Sequence, residues 1–254
     1  MRKIIALGLL AGLSTAYAVT EDEALQAKRM EWSRAYLEKQ GGPVPDGGVK
    51  VLPAEKMASY KENKSTIFKI KHDMATYGYV KEYSQAEQLL TIKITAPRDF
   101  KKHGQDYDAK NTHLKHDIND IKMAYTFIGV PLQEGTESIG FAPITTYIKD
   151  KGWAGAIYFF TKDGLGNCSY SENNVKLTHG AVIIAKENAR YDVNGKTTTV
   201  IVRGTPESGF LYNIDWYDTT FFRQLSCANK NFDQKITDGI IELAKRIDTP
   251  NTAG

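Results

Sequence analysis

The chain has two cysteines, Cys168 and Cys227, and their type and spacing admit two chemistries. Paired, they close a loop of about 60 residues and restrict the unfolded chain by about 4 kcal/mol. Unpaired, either would need a base such as His179 beside it to work as a thiolate. Neither sits in a recognisable nucleophile signature, so a Cys168–Cys227 disulfide is the expectation.

His113, His116, Asp117 and Asp120 form the densest set of imidazole and carboxylate groups, the donor mix that suits zinc or a similar divalent ion. Helical spacing would stack His116 and Asp120 on one face. However, His113-x-x-His116 lacks the spacing and the intervening Glu of the zinc-protease helix. These positions also lie opposite Leu114, Ile118 and Ile121, so they read as a solvated polar face and no metal is expected. Asp106-x-Asp108 with Asp117 at the twelfth position resembles a calcium loop in outline only. Lys110 is at the fifth position, Asn111 stands where the turn needs glycine, and Asp117 is shorter than the bidentate Glu.

Ser138 lies in Thr136-Glu137-Ser138-Ile139-Gly140, one glycine short of a nucleophile elbow, and Gly135 to Gly140 reads as a loop. Gly164-x-Gly166 lacks the third glycine, the lysine and the following helix of a phosphate cradle, so it reads as a turn before Cys168. No catalytic residue and no cofactor follow from these patterns. Trp216, Tyr217, Phe221 and Phe222 crowd a short stretch. Strand alternation cannot place all four on one side, so some must face a second layer, a ligand or a partner.

The elements that must position these residues read mostly as strand. Ser65 to Lys71 and Leu89 to Thr95 alternate apolar with polar residues, and Trp153 to Thr161 is more continuously apolar, as in a buried strand. Asn194-Gly195, flanked by Ala181 to Tyr191 and Thr197 to Arg203, marks a hairpin, because both residues tolerate the positive φ of a type I′ turn. Another strand is expected from Phe210 to Tyr217, with the disulfide tying its end region to the Gly164 to Cys168 turn. Leu114, Ile118, Ile121 and Tyr125 share one helical face, and Ile236, Ile240, Leu243 and Ile247 another, with Pro250 just beyond the helix end. Strands in runs, without regular helix alternation, predict an α+β fold: a mostly antiparallel sheet covered by amphipathic helices.

Arg2 and Lys3, the apolar run Ile4 to Leu13, and Ala16-Tyr17-Ala18 have the order of a secretory signal, which predicts a mature start at Val19. Such a run is too short to cross about 30 Å of hydrocarbon, and no later stretch reads as a transmembrane segment. No cysteine stands at the cleavage point to carry a lipid. Thr20 and Glu23 can form a capping box for a helix over Ala24 to Lys39, with Leu25, Trp32 and Tyr36 on one side. Gly41-Gly42-Pro43-Val44-Pro45-Asp46-Gly47-Gly48 then breaks regular structure and reads as a flexible hinge. The division expected is a leader over 1–18, a helix and linker over 19–48, and an α+β domain over 49–254.

The 254-residue chain carries a formal net charge of +3, which loss of Arg2 and Lys3 brings close to neutrality. The two signs are interleaved along its length, which argues against a nucleic-acid partner. A hydrophobic content of 41% suffices for a core. Together these readings predict a periplasmic or secreted, disulfide-stabilised, non-catalytic binding or assembly protein. Its partner would be an envelope or secreted protein, met through Leu25, Trp32 and Tyr36. The alternative is a secreted hydrolase whose site comes together only in the fold.

Overall fold

Short turns order the chain from Tyr191 to Asn229 into successive strands of one sheet. At Asn194-Gly195 both residues take positive φ, +50° and +80°, and this turn joins β7 (Tyr191–Val193) to β8 (Lys196–Thr205) as the dipeptide predicts. β8 runs on through a Thr205 to Ser208 turn, fixed by a bond between the two hydroxyls and by the Ser208 N–H donating to Thr205 Oγ1, into β9 (Gly209–Tyr217). At the next turn the Asp218 carboxylate accepts from the backbone N–H of Thr220 and Phe221, both at 2.7 Å. That turn starts β10 (Phe221–Asn229).

The computed structural model describes residues 31, 34, 35, 38, 39, 48–57, 60–92, 122–130, 134–148 and 151–249. Earlier in the chain come β1 (Val49–Leu52), helix α1 (Tyr60–Tyr77), β2 (Val80–Lys81) and the short helix α2 (Ala86–Leu90). They are followed by β3 (Thr136–Ile148), β4 (Gly152–Lys162), β5 (Gly166–Asn174) and β6 (Val182–Ala185), and the described chain closes with helix α3 (Gln234–Asp248). The main sheet has eight strands in the order β2-β8-β9-β10-β5-β4-β3, with β7 beside β8. All its pairings are antiparallel except β2 with β8, and β1 and β6 form a separate parallel pair. β3 is the last strand at its edge, and its register shifts twice, between Ser138 and Gly140 and between Ile144 and Tyr147.

The mostly antiparallel sheet meets the expectation; α3 packs against it, but a cover of several amphipathic helices and a hinged N-terminal helix are not seen among the described residues. Asp233 caps α3 by accepting from the Lys235 N–H. Ile236, Ile240, Leu243 and Ile247 are buried as the spacing predicts, in a core with Phe160, Tyr170, Tyr212, Ile214, Trp216 and Leu225. Each such side chain contributes roughly 1.5–3 kcal/mol by leaving water. The Cys168–Cys227 disulfide is present, at directly opposed positions of β5 and β10. Cys227 thus lies on a strand of its own rather than at the end of Phe210 to Tyr217.

Several expectations are corrected. Ser65 to Lys71 belongs to α1, because Ile67, Ile70 and Met74 repeat at helical spacing in a stretch free of Gly and Pro. Leu89 and Leu90 end α2 rather than starting a strand, and the rest of Leu89 to Thr95 is outside the described residues after Ile92. Gly135 to Gly140 is largely strand, being the start of β3. Ala181 to Tyr191 contributes two separate strands, with only its last residue in the hairpin. Tyr125 lies in a non-helical stretch, and Leu114, Ile118 and Ile121 lie outside the described residues. Gly48 is buried, and its carbonyl accepts from the Val182 N–H, so it is no part of a flexible hinge, and the rest of Gly41 to Gly48 lies outside the described residues. Residues 31, 34, 35, 38 and 39 are helical and exposed, whereas Leu25, Trp32 and Tyr36 lie outside the described residues.

Candidate functional site

Strand register sets Glu172 of β5 directly opposite Arg223 of β10, on the face covered by α3. Arg223 Nε donates to Glu172 Oε2 at 3.0 Å, and the Tyr170 hydroxyl donates to the same oxygen at 2.8 Å. Arg223 Nη1 donates to Asp218 Oδ2 at 2.7 Å and lies 3.7 Å from Asp248 Oδ1 in the last turn of α3. Asp248 also accepts from Trp216 Nε1 at 3.0 Å and pairs with Lys196 of β8. Two cations and three carboxylates thereby join β5, β8, β10, the β9–β10 turn and α3.

Glu172 is 0% exposed. Burial raises its carboxyl above the usual range, against the opposing pull of Tyr170, Arg223 and the Ile128 N–H. Burial also pushes Asp218 upward, but Arg223 and the Phe221 and Thr220 N–H groups outweigh it and hold that carboxyl low. The Phe221 ring caps the guanidinium at 4.5 Å. A carboxylate closed in this way has no route to a substrate, and its chemistry is cohesion between strands.

On the opposite face, register lines up Thr199, Asp215, Gln224 and Ser171 across four strands. Gln224 Nε2 donates to Asp215 Oδ1 at 2.8 Å, Thr199 Oγ1 donates to Oδ2 at 3.4 Å, and Ser226 Oγ donates to Asn213 Oδ1 at 2.7 Å in the adjoining row. Tyr217 and Phe222 stack beside them, 5.0 Å apart. The crowded aromatics are thus divided, with Trp216 and Phe221 on the α3 side and Tyr217 and Phe222 behind. Asp215 is 4% exposed, and burial pushes its pKa up to about 6.

The folded state therefore binds the Asp215 proton more tightly than the unfolded chain does, so stability falls as pH rises from about 4 to about 6. At pH 7 the ionised group costs on the order of 3 kcal/mol. Asp215→Asn, which still accepts from Gln224, should remove that cost. Its urea midpoint should exceed the parent's at pH 7 and converge with it near pH 4. A midpoint below the parent's at pH 7 would show that the charge itself is needed.

A shallow groove of about 180 Å³ lies between α1 and the chain leading into β7, lined by Ile70, Met74, Glu187, Arg190, Tyr191 and Ile201 among others. It contains neither Glu172 nor Asp215. Ser138 is exposed on β3 opposite Phe160, and His179 is an exposed turn residue with φ +52°. Both cysteines are in the disulfide, so neither offers a thiol for His179. Gly164-x-Gly166 is the β4–β5 turn, with positive φ at both glycines. Among the described residues no group of His, Cys, Asp and Glu could hold a metal ion, and none of His113, His116, Asp117 and Asp120 is among them. No helix among the described residues is long and apolar enough to cross a membrane.

Sequence reasoning missed Glu172, Asp215, Arg223 and Asp248. The available signal was a charge inside a strand or helix window that is otherwise apolar or aromatic, such as Asp215 beside Ile214 and Trp216. No protein-family model, curated protein or solved structure matches the chain.

Proposed function

We propose that the chain is an exported, non-catalytic binding or assembly protein of a bacterial envelope, or one secreted beyond it. The helix bearing Leu25, Trp32 and Tyr36 is its docking element. One observation carries this reading: the described carboxyls with raised proton affinity, Glu172 and Asp215, are sealed within the sheet and bonded to neighbouring strands. Such groups in an open cleft would mark a reaction site, whereas here both are closed off between strands. The leader-like start and the buried Cys168–Cys227 bond support an oxidising compartment.

Photo-crosslinkers placed at residues 32 and 36 should trap one discrete envelope or secreted protein in living cells. A chain beginning at Gly47, which keeps the Gly48 carbonyl on the Val182 N–H, should fold with an unchanged melting temperature and lose that partner. Turnover of ester, peptide or glycoside substrates by the purified protein, abolished by Asp215→Asn, would instead establish the hydrolase reading. Unchanged association of the shortened chain would remove the docking role from the helix.

A further inference from the structure

The turn that closes the β7–β8 hairpin also fastens the end of helix α3. Asn194 Nδ2 reaches three acceptors there: the Lys245 carbonyl at 2.8 Å, Asp248 Oδ2 at 3.3 Å and Thr249 Oγ1 at 3.4 Å. The Lys245 carbonyl, in the last turn of α3, also takes the Thr249 N–H and the Thr249 hydroxyl proton. Nδ2 is therefore surrounded by groups that accept, and only a donor suits the position.

The same amide is the most labile in the sequence. Asn194-Gly195 is the chain's one Asn-Gly pair, and asparagine is among the thermolabile residues. Its side-chain amide is open to attack by the next backbone nitrogen, which a following glycine leaves unhindered because it has no Cβ. Both residues are exposed, and nothing lies within 4 Å of the place a Gly195 Cβ would take. The Gly195 N–H already points at a proton acceptor, Asp192 Oδ1 at 2.9 Å. The other described asparagines lack a following glycine, and Asn174 and Asn213 are buried as well.

We infer that Asn194 is a site of spontaneous deamidation and that its conversion unfastens the end of α3 from the hairpin. The Gly195 nitrogen bonds to Asn194 Cγ, and its proton passes through Asp192 to solvent. The Cγ–Nδ2 bond breaks, and Nδ2 leaves as ammonia with a proton from water. Water then adds to either carbonyl of the cyclic imide and yields Asp or isoAsp, with no change of oxidation state. Either product sets a carboxylate among acceptors, beside a cluster in which Glu172, Asp218 and Asp248 already outnumber Lys196 and Arg223. IsoAsp also puts an extra methylene into the two-residue turn, which no longer fits the strand register. The site is separate from the docking role given to Leu25, Trp32 and Tyr36 and stands without it.

The test incubates the purified, folded protein in warm, mildly alkaline buffer and maps its peptides by mass spectrometry. Asn194 should convert ahead of every other asparagine, giving both Asp and isoAsp, and ammonia should appear in step. Asn194→Gly keeps a residue that accepts positive φ and has no amide to lose, so its ammonia release should fall well below the parent's. Asn194→Asp imitates one product without the wait. It should melt about 5 °C below the parent, and its Thr249 amide should exchange with deuterium about tenfold faster, as the last turn of α3 opens locally. Earlier conversion at another asparagine would overturn the inference, as would conversion of Asn194 only in urea. Parent-like ammonia release from Asn194→Gly, or a parent-like melting temperature and Thr249 exchange in Asn194→Asp, would do the same.

Discussion

Arg223→Leu should destabilise the protein by about 3–5 kcal/mol at pH 7, with a melting temperature on the order of 10 °C lower. The cause is what remains behind. Glu172, fully buried, keeps only the Tyr170 hydroxyl and the Ile128 N–H as partners, and Asp218 and Asp248 lose the guanidinium between them. Because burial already raises the Glu172 carboxyl, removing its cation raises it further. The loss should therefore shrink in acid, where Glu172 is protonated in the variant and in the unfolded chain alike. Glu172→Leu/Arg223→Leu should cost less than the sum of the two single changes, since no lone charge stays behind. Chemical unfolding of the three variants at pH 7 and pH 4 measures this. A single variant within about 1 kcal/mol of the parent would show that the pair is not a brace.

Cys168→Ala/Cys227→Ala should cost about 4 kcal/mol, the loop-closure term for cysteines 59 positions apart. The sheet already holds the two residues opposite each other, so the folded state should keep its circular dichroism while the unfolded state gains freedom. Both cysteines are inaccessible, and the unreduced native protein should give no thiol with Ellman's reagent. Two titratable thiols would contradict the pairing, and a melting temperature equal to the parent's would remove its contribution to stability.

The parts of this fold that could be read in advance are those whose signal is local. Asn194-Gly195 carries its own backbone requirement, and the Ile236, Ile240, Leu243, Ile247 stripe needs only one face to be buried. Where a short window was weighed alone, it misled. Ser65 to Lys71 alternates for a few residues, yet the helix is set by the longer spacing of Ile67, Ile70 and Met74 and by an 18-residue stretch without a breaker. The polar clusters were less legible still. Glu172 and Arg223 are 51 positions apart and Lys196 and Asp248 are 52 apart, and only strand order and register bring them together. A charge in an apolar window shows that a partner must exist but does not name it.

The shape of β3 bears on how copies of this protein meet one another. Its 13 residues form one border of the main sheet, and a straight border of that length would offer unpaired N–H and C=O groups to any passing strand. The border is not straight. Its two register shifts bend it, Thr145 at φ +67° turns the backbone out of line, and Pro143 removes one donor. At the other border β8 is flanked by β2, two residues long, and β7, three residues long. Copies of this chain are thus poorly suited to pairing edge to edge through β3.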